Sequence, residues 1–227
     1  MKRSEINRYI EQAKEFAARH NFCLPPFAFW TAEQWAQKGH EADEIRTRRL
    51  GWDLTDFNLG TFLQKGLTLF TLRNGKIGDP ANKKAYAEKL LIVEEGQVTP
   101  FHFHWMKTED IINRGVGVLV CELYNSDKEE KFTNTPVRVS CDGVEREVKA
   151  GGSIELAAGE SITLTPYLYH QFYARKGAGK ALIGEVSSVN DDATDNRFYD
   201  PLPRFPTVQE DVPPTALLCN QYPAAKG

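Results

Sequence analysis

The chain has 227 residues, of which 41% are hydrophobic and 26% are charged, and its formal net charge is −3. This is the composition of an ordinary globular protein that can bury a core in one domain or two. The balance of charge argues against nucleic-acid and anionic-membrane partners, and no apolar run approaches the roughly 20 residues that cross a bilayer.

The N-terminal residues and the cysteines bear on the cellular compartment. Residues 1–11 lack the apolar stretch of a secretory signal peptide. The four cysteines, Cys23, Cys121, Cys141 and Cys219, form no Cys-x-x-Cys pair. We therefore expect reduced thiols that mostly serve in packing, and a cytoplasmic protein.

The first 45 residues are predicted to form a helical N-terminal extension. Ser4 can cap a helix that ends before Pro25. Hydrophobic residues recur in this segment at intervals of three or four, at Ile6, Tyr9, Ile10, Ala13, Phe16 and Ala17. Thr31 can cap a short second helix.

From about residue 50 the pattern changes to short hydrophobic runs separated by turn residues, with a hairpin signal at Asp142-Gly143. The predicted strands are residues 60–64, 66–72, 86–94, 98–105, 116–123, 137–139, 145–149, 153–156, 161–166, 170–174 and 181–189. This pattern predicts an all-β jelly-roll barrel over residues 50–190. The polar, proline-rich residues 191–227 are expected to pack on the barrel as the tail of a single domain, residues 1–227.

Residues 96–109 contain the most informative motif of the chain. His102 and His104 are two apart, so on a strand both imidazoles project from one face. Glu109 follows closely, and His170 supplies a fourth candidate ligand. Three imidazoles and one carboxylate suit manganese, iron, nickel or zinc, and leave two positions of a six-coordinate ion open. Core histidines without a metal, and a closed structural metal site, are the alternatives.

Two motifs resemble those of the cupin superfamily. Gly96, His102, His104, Glu109 and Gly115 resemble the first cupin motif, and Gly159, Pro166 and His170 resemble the second. The resemblance implies a cupin-like jelly-roll barrel that holds a metal inside its mouth.

A predicted hairpin places a glutamate near these ligands. If the turn at residues 176–179 joins the strand of His170 to the next one, His170 faces Glu185. A buried carboxylate beside a metal is costly unless it has a function or a cation partner. A register shifted by one residue would instead turn Glu185 towards solvent.

Two lysines are candidates for the same cavity. If the turn at Gly96 closes a hairpin, Lys89 lies opposite His102 or Phe103. Lys107 lies between the second histidine and the glutamate in sequence. Lysines at such positions can stabilise a developing oxyanion, and exposed lysines are the alternative.

The polar residues 190–197 are predicted to form a rim loop in which Asp191, Asp192 and Arg197 bind a polyol, with a solvated connection as the alternative. The sequence lacks the motifs of phosphate-binding loops, serine hydrolases and dinucleotide-binding folds, which leaves metal-assisted chemistry. A metal-dependent dioxygenase and an aldose–ketose isomerase both use two open metal positions. The charged cavity favours the isomerase. A sugar-binding cupin without turnover is a further alternative.

Residues 100–109, 168–172 and 184–192 resemble the cupin-type D-lyxose isomerases. The resemblance implies interconversion of D-lyxose with D-xylulose and of D-mannose with D-fructose through an enediol, by a homodimer that uses Mn²⁺. Iron, cobalt, nickel and zinc are the alternative ions. The resemblance further implies that His102, His104, Glu109 and His170 hold the metal, that Glu185 and Lys107 are catalytic, and that Lys89, Asp192 and Arg197 bind the monosaccharide. Cupin-type glucose-6-phosphate isomerases share the ligand pattern, but the sequence offers no basic cluster for a phosphate, which favours a free sugar.

Overall fold

The computed structural model describes residues 1–79, 83–189 and 191–226. Asn190, the first residue of the predicted rim loop and the last of the predicted barrel, lies outside the described residues, as does Gly227 at the end of the predicted tail. None of the helices in these ranges is long and apolar enough to cross a membrane.

Three α-helices precede the first strand: α1 (Arg3–Arg19), α2 (Ala32–Ala36) and α3 (Asp43–Thr47). Thr31 caps α2 as predicted, because its hydroxyl oxygen accepts a hydrogen bond from the backbone N–H of Gln34. The cap predicted for α1 is wrong. The helix begins after Lys2, and the hydroxyl of Ser4 donates to Asp211 in the tail instead.

Thirteen strands follow in the described residues. They are β1 (Gly51–Thr55), β2 (Leu67–Arg73), β3 (Tyr86–Val93), β4 (Val98–Phe103), β5 (Glu109–Asn113), β6 (Leu119–Asn125), β7 (Val137–Cys141), β8 (Val144–Val148), β9 (Gly152–Leu156), β10 (Ser161–Leu164), β11 (Leu168–Ala174), β12 (Ala181–Ser188) and β13 (Arg197–Phe198). The strand predicted at residues 60–64 is wrong, since this segment forms turns.

The strands form two sheets. The larger has the order β1-β2-β3-β12-β5-β10-β7-β8, and the smaller has the order β13-β4-β11-β6-β9. Hydrophobic side chains from both sheets, such as Leu91, Ile111, Leu123 and Phe172, are buried together in one cluster. This arrangement confirms the predicted all-β, cupin-like jelly-roll barrel with helices appended.

A second hydrophobic cluster joins α1 to the larger sheet. The predicted stripe of α1 supplies Ile6 and Ile10, both fully buried, and the sheet supplies Leu90, Ile92 and Leu182. Burying a side chain of this size contributes about 1.5–3 kcal/mol. Because residues alternate along a strand, β3 presents Leu90 and Ile92 to the helix, and its intervening residues point into the barrel.

The predicted hairpins have different outcomes. The turn at Asp142-Gly143 joins β7 to β8, and both residues have the positive φ of a type I′ turn, 52° and 81°. The two hairpins expected at residues 95–96 and 176–179 are wrong. Each of these turns carries the chain from one sheet to the other, because neighbouring strands of a jelly roll are divided between its two sheets.

Candidate metal centre

The four predicted metal ligands meet between the two sheets. His102 lies on β4, His104 lies just beyond its end, and His170 lies on β11, opposite His102 in the smaller sheet. Glu109 begins β5 in the larger sheet. One ligand atom from each residue lies within 4.8 Å of the others, and all four side chains are buried.

Backbone carbonyls fix the orientation of each imidazole. The Nδ1 atoms of His102, His104 and His170 lie 2.8, 2.5 and 3.0 Å from the carbonyl oxygens of Pro100, Asp195 and Leu168. Only a protonated Nδ1 can donate to a carbonyl, so each neutral ring has its lone pair on Nε2. Metal-binding histidines in proteins are held in the same way.

The donor atoms of the cluster suit a divalent metal. The Nε2 atom of His170 is buried and has no hydrogen-bond partner among the described residues, although it lies 3.2 Å from Oε1 of Glu109. Burial, together with the neighbouring His170 and His104, holds the pKa of His102 well below its ordinary value. Three imidazoles around one carboxylate form the nitrogen and oxygen donor set that such ions prefer.

Lys107 joins this cluster to a second carboxylate. Its ammonium nitrogen lies 2.5 Å from Oε2 of Glu109 and 3.0 Å from Oε1 of Glu185. Although burial lowers the pKa of Lys107, Glu109 and Glu185 raise it well above its usual value. Burial raises the pKa of Glu109 in turn, but Lys107 and His104 hold it well below its usual range. Both groups are therefore charged near neutral pH.

Glu185 and Lys89 lie opposite each other on β12 and β3. The Lys89 ammonium is 3.2 Å from Oε1 of Glu185 and 2.8 Å from Oδ1 of Asp192. Burial raises the pKa of Asp192, but Lys89 and Arg204 hold it well below its usual range. The contacts of Glu185 with both lysines use Oε1, and Oε2 accepts no hydrogen bond within the described parts of the chain. Oε2 of Glu185 therefore remains available near the cluster of His102, His104, Glu109 and His170.

Both predicted register pairs were wrong, although they led to residues of this site. The expected partner of His170 was Glu185, but His170 pairs with His102. The expected partner of Lys89 was His102 or Phe103, but Lys89 pairs with Glu185. Glu185 points inward because it shares a face of β12 with the buried Ile183 and Ser187, and that face does not depend on which strand is adjacent.

Arg197 does not join these residues. Its side chain pairs with Glu130, with Nε 2.9 Å from Oε2, while the next residue, Phe198, faces the cavity. Neighbouring residues of a strand point in opposite directions, so Arg197 on β13 points away. Arg204 is found at the cavity instead, 2.7 Å from Asp53 and 3.7 Å from Asp192.

Sequence reasoning missed Arg204, Asp53 and Asp195. Arg204 lies in the proline-rich residues 201–206, and neither it nor Asp53 belongs to a motif. The polar character of the segment around Asp195 was the only available signal. Their contacts come from segments that are distant in sequence, and a single sequence does not encode such pairings locally.

His102, His104 and Glu109 border a small cavity of about 40 Å³. Its charged lining consists of Glu109, Lys107, Glu185, Lys89, Asp192 and Arg204. A larger cavity of about 260 Å³ shares Lys89 and Asp192 with it. The inner cavity has room for a few water molecules, and the Lys89–Asp192 ion pair lies between the two spaces.

Comparisons with known proteins identify the family of this chain. The family model of D-lyxose isomerase matches residues 1–222. Two relatives named D-lyxose/D-mannose isomerase, from Serratia proteamaculans and Escherichia coli O157:H7, are 49% and 48% identical over 223 residues, which are 98% of this chain and 98% of each relative.

Solved structures of L-ribose isomerases share the fold at low sequence identity. The enzyme from Acinetobacter sp. DL28, in complex with L-ribose, has a TM-score of 0.57 and 14% identity, and the match covers 87% of this chain and 92% of the other. The enzyme from Geodermatophilus obscurus has a TM-score of 0.56 and 16% identity over 92% of this chain and 98% of the other. On the family model and the two relatives, the chain belongs to the D-lyxose isomerase family.

Proposed function

We propose that the protein is a metal-dependent aldose–ketose isomerase that converts D-lyxose to D-xylulose and D-mannose to D-fructose. The observation that carries this proposal is the buried cluster of three histidines and one glutamate next to the ion-paired Glu185. The names of the relatives from Serratia proteamaculans and Escherichia coli support these sugars.

The metal is proposed to be Mn²⁺, held by His102, His104, Glu109 and His170. Iron, cobalt, nickel and zinc suit the same donors. The buried Nε2 of His170, which has no hydrogen-bond partner among the described residues, and the three Nδ1 contacts with carbonyls support metal binding. When bound there, the ion would supply Lewis-acid polarisation of the sugar carbonyl.

Glu185 is proposed to move the proton between the two reacting carbons. Its Oε2 removes the proton from C2 of the aldose and returns a proton to C1, while the hydroxyl proton moves from O2 to O1, which converts the aldose into the ketose through an enediol. Lys89 and Lys107 hold Oε1 at 3.2 and 3.0 Å, so the carboxylate keeps one orientation during the transfer. The charged ammonium of Lys107 stabilises the negative charge that develops on the sugar oxygen.

Lys89 and Asp192 are proposed to bind sugar hydroxyls, together with Arg204 in the role first expected of Arg197. A sugar needs more room than the inner cavity of about 40 Å³ provides. The adjoining cavity of about 260 Å³ provides that room if the Lys89–Asp192 pair separates when the sugar binds. The charges of that pair would then be satisfied by sugar hydroxyls.

We further propose that residues 1–227 act as one domain, assembled as a homodimer in the cytoplasm. The pairing of β13 with β4 and the Arg204–Asp53 ion pair support a tail that belongs to the barrel. Four free cysteines suit a reducing compartment, and the family resemblance supports the dimer. Light scattering on the purified protein should give twice the mass of one chain, and a monomer would contradict the dimer.

Turnover assays test the function directly. The protein with Mn²⁺ should form D-lyxose from D-xylulose and D-mannose from D-fructose, and removal of the metal with a chelator should stop both reactions. Failure to form an aldose from any ketopentose or ketohexose would exclude the isomerase. Oxygen consumption with the same substrates would indicate a dioxygenase, and binding of sugar without turnover would indicate a binding protein.

A further inference from the structure

We infer that Asp195 is a positioning residue of the metal centre, an inference that rests on the proposed role of the cluster in binding a metal. Its carboxylate shapes the turn that carries Lys107, and its backbone carbonyl orients His104. Asp195 lies in the C-terminal tail, far in sequence from the residues that it arranges.

The carboxylate of Asp195 is held by backbone donors. Oδ1 accepts hydrogen bonds from the N–H groups of Trp105 and Met106 at 2.7 and 3.1 Å, and Oδ2 accepts one from Lys107 at 3.1 Å. The side chain is buried, and its three hydrogen bonds all come from backbone N–H groups. Consecutive N–H groups that converge on an anion are a recognised way to bind negative charge in proteins.

These three donors belong to the crossing between the two sheets. The strand β4 ends at Phe103 and β5 begins at Glu109, and the N–H groups of residues 105–107 between them bond to Asp195 rather than to either sheet. Without the carboxylate, the three N–H groups would lose their hydrogen bonds, and the backbone of this turn would lose the contacts that hold its conformation. The turn places Lys107 between Glu109 and Glu185, and its ends carry the metal ligands His104 and Glu109.

The backbone of Asp195 acts on the metal ligand directly. Its carbonyl oxygen lies 2.5 Å from Nδ1 of His104, which fixes the tautomer that leaves Nε2 free to bind a metal. The N–H of Asp195 donates to the carbonyl of Asp191, and the turn that this bond closes also carries Asp192, the partner of Lys89. The tail turn at residues 191–195 therefore fixes three parts of the site, which are His104, the turn that carries Lys107, and Lys89.

The variant Asp195→Asn tests this role. The amide keeps the size of the side chain but directs an NH₂ group at one or more backbone donors. We expect the dissociation constant for Mn²⁺ to rise at least about 10-fold, and kcat at saturating metal to fall at least about 10-fold with little change in KM. The visible spectrum of the Co²⁺-loaded variant should also differ from that of the wild type, because the ligand geometry changes.

Asp142→Asn is the matched control, because Asp142 also accepts a backbone N–H, that of Ser161, but in the exposed β7–β8 hairpin. It should leave the metal affinity, the Co²⁺ spectrum and kcat unchanged. A lower melting temperature for Asp195→Asn, with wild-type metal affinity, spectrum and kcat, would overturn the inference, since Asp195 would then be merely structural.

Hydrogen exchange on the wild-type protein covers the case in which Asp195→Asn does not fold. The amides of residues 105–107 should exchange slowly although they lie outside any strand, and rapid exchange of all three would overturn the inference. The metal and spectroscopic measurements need no sugar. A wild type that turns over no sugar would therefore refute the proposed function, while the role of Asp195 is still decided by metal affinity and the Co²⁺ spectrum.

Discussion

Replacing Glu185 by glutamine removes the proposed proton acceptor and nearly preserves the shape of the side chain. A positioned general base contributes about 10²–10⁴-fold to a reaction rate, which corresponds to about 3–5 kcal/mol of activation free energy. We therefore expect kcat of Glu185→Gln to fall by at least about 100-fold, with metal content unchanged because Glu185 is not one of the four ligands.

The contacts of Glu185 indicate that this variant folds. Removing one partner of a buried ion pair costs about 3–5 kcal/mol when the other charge is left unpaired. Here Lys107 keeps its contact with Glu109 at 2.5 Å, and Lys89 keeps Asp192 at 2.8 Å. Neither lysine is left without a carboxylate, so the loss of unfolding free energy should be smaller than that, of the order of 1–2 kcal/mol.

The assay compares kcat, metal content by elemental analysis, and unfolding free energy in urea. Glu122→Gln is the matched control, because Glu122 is a partly buried strand glutamate on β6 whose contacts are Gln171 and Tyr173 rather than the metal centre. The control should keep wild-type kcat. A near-normal kcat for metal-loaded Glu185→Gln would refute its role as the base.

Three further changes test the ligands, the packing and the charges. His170→Ala should weaken metal binding by more than about 100-fold in chelator competition, since losing only a hydrogen-bond partner of a ligand costs about 10–100-fold, and unchanged affinity would exclude His170 as a ligand. Ile10→Ala should cost about 2–5 kcal/mol of unfolding free energy in urea, because Ile10 is fully buried against the larger sheet. Burial raises the pKa of Asp192, but Lys89 and Arg204 lower it by more, so the net shift is downward. The ionised carboxylate therefore stabilises the folded state above about pH 4, and this stabilisation is lost as the pH falls through the lowered pKa. The deficit in unfolding free energy of Asp192→Asn should therefore stay constant from about pH 8 to 5 and shrink below about pH 4; a deficit that grows on acidification would contradict this sign.

Features that depend on nearby residues were predictable from the sequence. His102, His104 and Glu109 lie within eight residues of one another, and a strand face explains why both imidazoles point inward. The stripe of α1 follows from helical spacing, and the type I′ turn follows from Asp142-Gly143. The inward direction of Glu185 was also predictable, because it depends only on alternation along β12.

Features that depend on how strands from distant parts of the chain pair could not be predicted. The hairpin rule assigns each strand to its neighbour in sequence, whereas β3 pairs with β2 and β12, and β11 pairs with β4 and β6. The ion pair between Arg204 and Asp53 joins the tail to β1, and no local pattern indicates it. The predicted position of Arg197 at the cavity is wrong for a related reason, since the pairing of β13 with β4 determines which face of β13 meets the cavity.

The location of deuterium in the product tests the central claim most directly. The Mn²⁺-loaded protein, incubated with D-xylulose in D₂O, should form D-lyxose that carries deuterium at C2, as read by NMR, because the enediol regains a proton that Glu185 has exchanged with solvent. Glu185→Gln should form almost none. Absence of D-lyxose would contradict the isomerase, and D-lyxose without deuterium at C2 would contradict proton transfer through a solvent-exchanging Glu185.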